Sequence, residues 1–131
     1  MEKKILVVDD NKSILSIVKH WLSRAGYEVD VTEHPGQALD LACQTPYDLI
    51  ILDIMMDEMN GFEVLENLRA EEKTRNARVM IFTAQSLYRN ITPAAKEKFD
   101  DFLTKPFEKD ELLEKVRNAV MVSPACSQAG Q

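Results

Sequence analysis

The sequence predicts an α/β domain in which five parallel β-strands form one sheet and helices cover both faces. Strand-like and helix-like segments alternate along most of the 131 residues, which is typical of repeated strand–helix–strand units with right-handed crossovers. Several of the strand-like segments are unbroken apolar runs, such as Leu49-Ile50-Ile51-Leu52. Such runs indicate strands that are buried on both faces, as in a parallel sheet.

The strands are predicted from short apolar segments that end at polar or turn-forming residues. In chain order they comprise residues 5–8, 28–32, 49–52, 79–82 and 102–104. Between them, apolar residues at helical spacing predict helices over 13–25, 35–43, 61–69 and 108–121. Gly26 is a natural stop for the first helix, and Pro35 suits the first turn of the second.

The segment from Gln85 to Phe99, where the fourth helix should lie, has the weakest helical pattern of apolar residues. Proline is tolerated only in the first turn of a helix, and Thr92 is a good N-cap, so we predict a short helix from Pro93 to Phe99. A mobile loop should precede it. The apolar side chains expected to be exposed on that loop are Leu87, Tyr88 and Ile91.

Composition indicates one globular domain. The apolar and charged fractions are 45% and 29%, and no apolar run approaches the length of a membrane span or a signal peptide, so we expect a cytoplasmic protein without a membrane partner. The net charge of −6 argues against direct nucleic-acid binding. Residues 1–121 should form the domain, and residues 122–131 a disordered tail or the start of a linker.

Four of the predicted strands end at residues suited to phosphoryl chemistry. These are Asp9-Asp10, Asp53, Thr83 and Lys105. Ligands of open α/β sheets bind beyond the carboxyl ends of the strands, so these side chains should share one pocket. Two carboxylates roughly 5 Å apart repel by about 3 kcal/mol at an effective dielectric of about 20, so the cluster requires a protonated member or a cation. Oxygen ligands of this kind favour Mg²⁺.

Four groups of residues resemble the motifs of the receiver domain of two-component response regulators, over residues 3 to about 121. The matching segments are VVDDN at 7–11, LDIMM at 52–56 with NGF at 60–62, FTA at 82–84 and DFLTKPF at 101–107. The resemblance implies a flavodoxin-like, doubly wound sheet with strand order 2-1-3-4-5. It also implies a chemotaxis-regulator-like phosphorylation switch rather than an enzyme.

The resemblance assigns a role to each site residue. Asp53 would accept the phosphoryl group, and Asp10, Asp53 and the backbone carbonyl of Met55 would bind Mg²⁺ directly, with Mn²⁺ as a substitute. Asp9 would act on the metal mainly through water.

Two further residues would act on the phosphoryl group. Lys105 would neutralise charge on its oxygens, and Thr83 would donate a hydrogen bond to it and move toward it. The Lys105–Pro106 bond is expected to be cis, as is usual in the family.

Several positions depart from the family pattern, among them Asn60, which replaces the commoner Asp before Gly61 with little expected consequence. Asp57 stands where proline is most common, so metal affinity and loop rigidity should differ there. Lys98-Phe99 replace the usual Gly-Ala before the last strand, which affects the end of the fourth helix. Phe102 stands where a tyrosine is frequent, so any hydrogen bond from that hydroxyl is lost.

The implied phosphoryl donor is a sensor histidine kinase or a phosphotransfer protein, and the implied target is a downstream effector or a fused output domain. On the first helix, the apolar residues expected to face the sheet are Leu15, Val18, Leu22 and Ala25. That leaves Ile17 and Trp21, with Ile14 in part, on an edge that would meet the kinase. The other interpretation is that these residues pack beneath the loop before the last helix.

Three other functions agree less well with the sequence. A phosphatase of the haloacid-dehalogenase type would place a second aspartate two residues after the nucleophile, where this chain has Met55. A degenerate receiver that serves only for docking would lack phosphorylation residues that are all present here. A flavin-binding domain of the same fold would need a hydroxyl-rich loop where this chain has Asp9-Asp10.

Overall fold

The computed structural model describes residues 3–54, 61–84 and 91–121. Within these ranges, five parallel strands form one sheet in the order β2-β1-β3-β4-β5. The strands are β1 (Lys4–Val8), β2 (Glu28–Thr32), β3 (Leu49–Asp53), β4 (Val79–Ala84) and β5 (Asp101–Lys105). The helices are α1 (Lys12–Arg24), α2 (Pro35–Gln44), α3 (Gly61–Ala70), α4 (Pro93–Lys96) and α5 (Lys109–Met121). The predicted fold class and strand order are confirmed.

Some sequence predictions lie outside the described residues. They concern Met55, Asp57, Leu87, Tyr88 and residues 122–131. None of the helices in the described ranges has the length and apolarity needed to cross a membrane.

Alternate residues of each central strand enter two separate hydrophobic clusters. In β1, Ile5 and Val7 pack with α1 and α5, whereas Leu6 and Val8 pack with α2 and α3. This alternation follows from the two-residue repeat of a strand, in which successive side chains point to opposite faces. The apolar runs of β1, β3 and β4 therefore reflect burial on both faces, as the sequence predicts.

Both ends of α1 follow from single residues. The Asn11 side chain accepts hydrogen bonds from the backbone N–H groups of Ser13 and Ile14, at 2.9 and 3.3 Å, and so caps the first turn. At the other end Gly26 has a φ of 99°, a conformation that favours glycine. The Tyr27 N–H bonds back to the Leu22 carbonyl at 3.1 Å, which completes a Schellman motif.

The segment around α4 differs from the prediction in two ways. The helix covers Pro93–Lys96 only, with Thr92 as the predicted N-cap, and ends before the expected Phe99. Ile91, which was predicted to be exposed, is only 8% accessible and belongs to the cluster under α2 and α3. A one-turn helix offers little apolar surface, so Ile91 and Phe99 supply apolar side chains on either side of it.

Arg69, in the last turn of α3, holds the chain before β4 and before β5. Its Nε donates to the Lys98 carbonyl at 2.8 Å, its Nη1 to the carbonyls of Arg75 and Ala77, and its Nη2 lies 3.3 Å from Asp100 Oδ2. One guanidinium can serve all these acceptors because its five N–H groups form a rigid fork. The chain after α4 is therefore tied to α3 at Lys98.

We expect Arg69→Met to lower the free energy of unfolding by about 2–3 kcal/mol, because partly buried acceptors would lose their donor. Arg75→Met is the matched control, since the Arg75 side chain is exposed and only its backbone carbonyl takes part; it should change stability by less than about 0.5 kcal/mol. Urea unfolding measures both. Equal losses in the two variants would show that the Arg69 contacts do not stabilise the fold.

Candidate functional site

The site lies at the point of the sheet where the strand order reverses, between β1 and β3. β1 pairs with β2 on one side and β3 on the other, so the connections that leave β1 and β3 run to opposite sides of the sheet. A crevice opens between them at the carboxyl ends of the strands, which is the usual ligand position in open α/β sheets. Asp9 and Asp10 follow β1, and Asp53 is the last residue of β3.

Three carboxylates meet in this crevice, as the sequence predicts. Asp9, Asp10 and Asp53 each place one oxygen within 4.8 Å of the others. Asp9 and Asp53 are buried, with exposed fractions of 0% and 4%. An all-oxygen set of negative ligands fits a hard divalent cation, and Mg²⁺ binds through few carboxylates while it keeps several waters. The residues present therefore fit a magnesium site.

Each carboxylate oxygen of Asp9 has a hydrogen-bond donor. Its Oδ1 accepts from the backbone N–H of Asn11 at 2.9 Å, and its Oδ2 accepts from Lys105 Nζ at 2.9 Å. A buried carboxylate needs such partners, because an unpaired charge in the interior is strongly unfavourable. Asn11 thus has two functions, since its backbone serves Asp9 while its side chain caps α1.

Lys105 brings a positive charge to the cluster from the end of β5. Its Nζ lies 3.3 Å from Asp53 Oδ2 in addition to the bond with Asp9. Burial lowers the pKa of Lys105, but the hydrogen bond to Asp9 and the charges of Asp53 and Asp9 outweigh that effect, and the pKa is raised. The stability that this raised pKa contributes is complete at neutral pH and is lost as the pH rises through it. The Lys105–Pro106 bond is cis, as expected.

Thr83 occupies the end of β4, the strand next to β3. The neighbouring Phe82 is in register with Asp53, so Thr83 lies one residue further toward the crevice. Its side chain is buried, and its hydroxyl donates to the Ala84 carbonyl at 3.1 Å. The structure thus brings Asp9, Asp10 and Asp53 within 4.8 Å of one another, with Lys105 bonded to Asp9 and Asp53. It places Thr83 at the adjoining strand end.

Sequence reasoning missed the role of Gly61 at the start of α3. The Gly61 N–H donates to the Ile54 carbonyl at 3.2 Å, which brings the helix against the end of β3. A Cβ at Gly61 would lie 2.5 Å from the Asp53 carbonyl oxygen and closer still to the Ile54 Cα. Only glycine permits this approach. A glycine at the start of a helix, soon after the acceptor strand, is the signal that could have indicated it.

The predicted docking edge of α1 is only partly exposed. Ile17 is 42% accessible, but Trp21 is half-buried and meets the ring of Phe107, in the loop before α5, with centroids 6.5 Å apart. Trp21 therefore follows the other interpretation, in which it packs beneath that loop. Ala25, which was predicted to face the sheet, is exposed because it is the C-cap, where the chain turns away through Gly26.

Phe102 has a partner that the sequence did not indicate. Its ring is half-buried against the cluster under α2 and α3, and Lys115 Nζ lies 5.1 Å from the ring centroid. Lys115 also pairs with Asp101 Oδ1 at 3.2 Å. A cation from α5 thus contacts the ring of Phe102, which carries no hydroxyl for a hydrogen bond.

Comparison with known proteins agrees with the resemblance seen in the sequence. Residues 5–117 match the response regulator receiver domain. RpaA of Synechocystis, a DNA-binding dual master transcriptional regulator, is 39% identical over 116 residues, which cover 87% of this chain and 47% of that protein. The chain spans about half the length of the curated relatives that it matches.

Two solved structures are similar over almost their whole length. The response regulator TrrA of Thermotoga maritima, in complex with Mg²⁺ and BeF, is 38% identical with a TM-score of 0.78, covering 89% of this chain and 98% of that one. The chemotaxis protein CheY4 of Vibrio cholerae is 30% identical with a TM-score of 0.79, covering 91% and 99%.

We expect Gly61→Ala to lower both stability, by about 2 kcal/mol, and the affinity for Mg²⁺, because the added methyl displaces α3 from the backbone at Asp53. Gly36→Ala is the matched control. No atom lies within 4 Å of a Cβ at this exposed position of α2, so alanine should raise stability by up to about 1 kcal/mol. Urea unfolding and titration calorimetry with Mg²⁺ measure the two effects. If both variants bind Mg²⁺ like the wild type, the close approach at Gly61 has no bearing on the site.

Proposed function

Because the chain belongs to the response regulator receiver family, a family of phosphorylation-dependent signalling switches, we propose that Asp53 is the residue that accepts the phosphoryl group. The observation that carries the assignment is the position of the Asp53 carboxylate, which lies within 4.8 Å of two other acids and 3.3 Å from a lysine ammonium. The result of the reaction is an aspartyl phosphate rather than a released product. The protein is a phosphoacceptor and not an enzyme in the usual sense.

The transfer is a nucleophilic displacement at phosphorus. A carboxylate oxygen of Asp53 forms the new P–O bond, and the P–N bond to the kinase histidine breaks with its electron pair retained on the ring nitrogen. Lys105 donates to the phosphoryl oxygens and is positively charged at neutral pH, and the neighbouring acids raise its pKa further. Positioned charge of this kind is the main source of rate enhancement in phosphoryl transfer.

We assign the magnesium site to Asp10 and Asp53, with Asp9 acting mainly through water and the backbone carbonyl of Met55 as a further ligand. Asp9 supports this division, because both of its oxygens already accept hydrogen bonds from this chain. Bound Mg²⁺ would neutralise negative charge on the phosphoryl group and on the carboxylates around it. Mn²⁺, another hard cation that accepts oxygen ligands, should substitute.

We propose that Thr83 responds to phosphorylation of Asp53 by changing its hydrogen-bond partner. Its hydroxyl now bonds to the Ala84 carbonyl and would exchange that partner for the phosphoryl group. The proposed site of the response is the segment from Gln85 to Phe102, of which the structure describes residues 91–102. Within it, α4 has only one helical turn.

Asp53→Asn should abolish labelling by acetyl phosphate, because the amide is not a nucleophile and lacks the negative charge that binds the metal. Intact mass after incubation with Mg²⁺, with Mn²⁺ and with chelator tests this, and only the two metal samples of the wild type should gain a phosphoryl group. Undiminished labelling of the variant would place the acceptor elsewhere.

Asp10→Asn should weaken Mg²⁺ binding more than Asp9→Asn, since Asp9 is already occupied by Asn11 and Lys105. Calorimetric titration of each variant with Mg²⁺ gives the two affinities. The reverse order would mean that Asp9 is a direct ligand and that Lys105 moves away when metal binds.

A histidine kinase is the implied donor, and we propose that it docks on the edge of α1 at Ile17, with a phosphotransfer protein as the other candidate. Ile17 is a large apolar residue that is 42% exposed and lines a shallow cavity of about 490 Å³ with Lys12, Ser16 and His20. The target would be an effector protein or a fused output domain, reached through residues 122–131 if these begin a linker. We place the reaction in the cytoplasm, without direct contact to nucleic acid or membrane.

Ile17→Ala should slow transfer from a histidine kinase that phosphorylates the wild type by roughly fivefold or more, as loss of an interface anchor does. Labelling by acetyl phosphate should not change. Met121→Ala is the control, because Met121 is 74% exposed at the far end of α5. If Ile17→Ala and Met121→Ala transfer at the same rate as the wild type, the kinase docks elsewhere.

A further inference from the structure

Beneath Lys105 lies a line of ring contacts that none of the proposed roles uses. Lys105 Nζ lies 5.6 Å from the centroid of the Phe82 ring. The rings of Phe82 and Phe107 are 4.8 Å apart and tilted by 32°, and Phe107 meets Trp21 edge-on at 6.5 Å and 71°. We call these three rings, of Trp21, Phe107 and Phe82, the aromatic line. It connects the ammonium of Lys105 to α1.

The inner end of the aromatic line, the ring of Phe82, lies against the Lys105 ammonium. The two hydrogen bonds of Lys105 in this structure go to Asp9 and Asp53, the carboxylates whose charge changes when a cation binds or the acceptor is modified. A lysine side chain has four rotatable bonds and loses its position easily when its partners change. Phe82 is fully buried, so its ring is a fixed surface under the ammonium.

Phe107 contacts the Phe82 ring that lies under the lysine. It follows Lys105 by two residues, and its ring lies between those of Phe82 and Trp21. Trp21 packs against the cluster under α1 and α5, so α1 holds the outer end of the line. Loss of the Trp21 ring would remove one of the two ring contacts of Phe107, the one that joins it to α1.

We propose that Trp21 and Phe107 are positioning residues for phosphoryl transfer, which set the place of the Lys105 ammonium through the aromatic line. The proposal rests on the proposed function, in which Lys105 neutralises the phosphoryl oxygens. A small displacement of a charged group from the phosphoryl oxygens removes much of its effect on the rate of phosphoryl transfer. It does not remove the carboxylates that bind the metal.

A positioning residue can therefore be distinguished from a core residue, because its loss changes the rate of phosphoryl transfer without lowering the affinity for Mg²⁺. In the folded protein, loss of a residue that only fills the core has no selective effect on transfer: Mg²⁺ affinity and the transfer rate change together or not at all. A residue that acts through Lys105 lowers the transfer rate and leaves Mg²⁺ affinity unchanged or slightly higher, because a positive charge is less firmly held among the acids.

The experiment uses Trp21→Ala and Trp21→Phe, each alone and combined with Lys105→Met. Initial rates of labelling by acetyl phosphate are followed by intact mass at saturating Mg²⁺, and Mg²⁺ affinity by calorimetry, at a temperature where every variant is folded. Leu113→Ala is the matched control, since Leu113 is also partly buried against the cluster under α1 and α5 but belongs to no ring contact.

Trp21→Ala should reduce the rate roughly two- to tenfold, the range that loss of one aromatic contact corresponds to. Its Mg²⁺ affinity should stay within about twofold of the wild type. Trp21→Phe should restore most of the rate, and Trp21→Ala should have no further effect in the Lys105→Met background. If Trp21→Ala does not fold, Phe107→Leu gives the same comparison.

The proposal is overturned if Trp21→Ala slows transfer by the same factor in the wild-type and Lys105→Met backgrounds. It is also overturned if Leu113→Ala slows transfer as much as Trp21→Ala does. In either case a reduced rate of Lys105→Met alone leaves the proposed function intact. If Lys105→Met labels as fast as the wild type, the assigned role of Lys105 fails together with the positioning role. If the wild type does not label at all, the proposed function itself is wrong.

Discussion

The mutual repulsion of three carboxylates is the constraint on which the rest of this site depends. Asp9, Asp10 and Asp53 lie at the ends of two paired strands, and one carboxylate oxygen of each is within 4.8 Å of the others. At an effective dielectric of about 20, each pair at that distance repels by about 3 kcal/mol. The fold offsets this with a backbone N–H from Asn11 and the ammonium of Lys105. The remaining negative charge is what makes the crevice a site for a cation.

The compensating charge comes from a distant part of the chain. Lys105 and Asp9 are 96 residues apart, and their contact exists only because β5 pairs with β4, β4 with β3 and β3 with β1. The order of the strands therefore decides the electrostatics of the site. Any change that moves β5 along β4 also moves the lysine relative to the acids.

The sequence predicts most of the fold because its signals are local: the central strands are unbroken apolar runs, and Gly26 and Thr92 mark helix ends. The same strand ends identify Asp53 and Lys105 as site residues. Local patterns do not identify contacts between distant elements. Ile91 is buried because α4 is short, and Gly61 is required because α3 approaches β3. These positions follow from packing that residue spacing alone does not specify.

Thr83 and Lys105 approach the crevice from opposite faces of the sheet. Phe82, beneath the lysine, packs with α1 and α5, and its neighbour Thr83 points to the other face because side chains alternate along β4. On that other face Phe102 packs against the cluster under α2 and α3. A phosphoryl group on Asp53 would thus bond to one residue linked to each face. In the proposed switch, movement of Thr83 would act on the face that carries Phe102, whereas movement of Lys105 would act on the face that carries Trp21 of α1. The two-residue repeat of β4 thereby separates the surface proposed to meet the kinase from the surface proposed to respond.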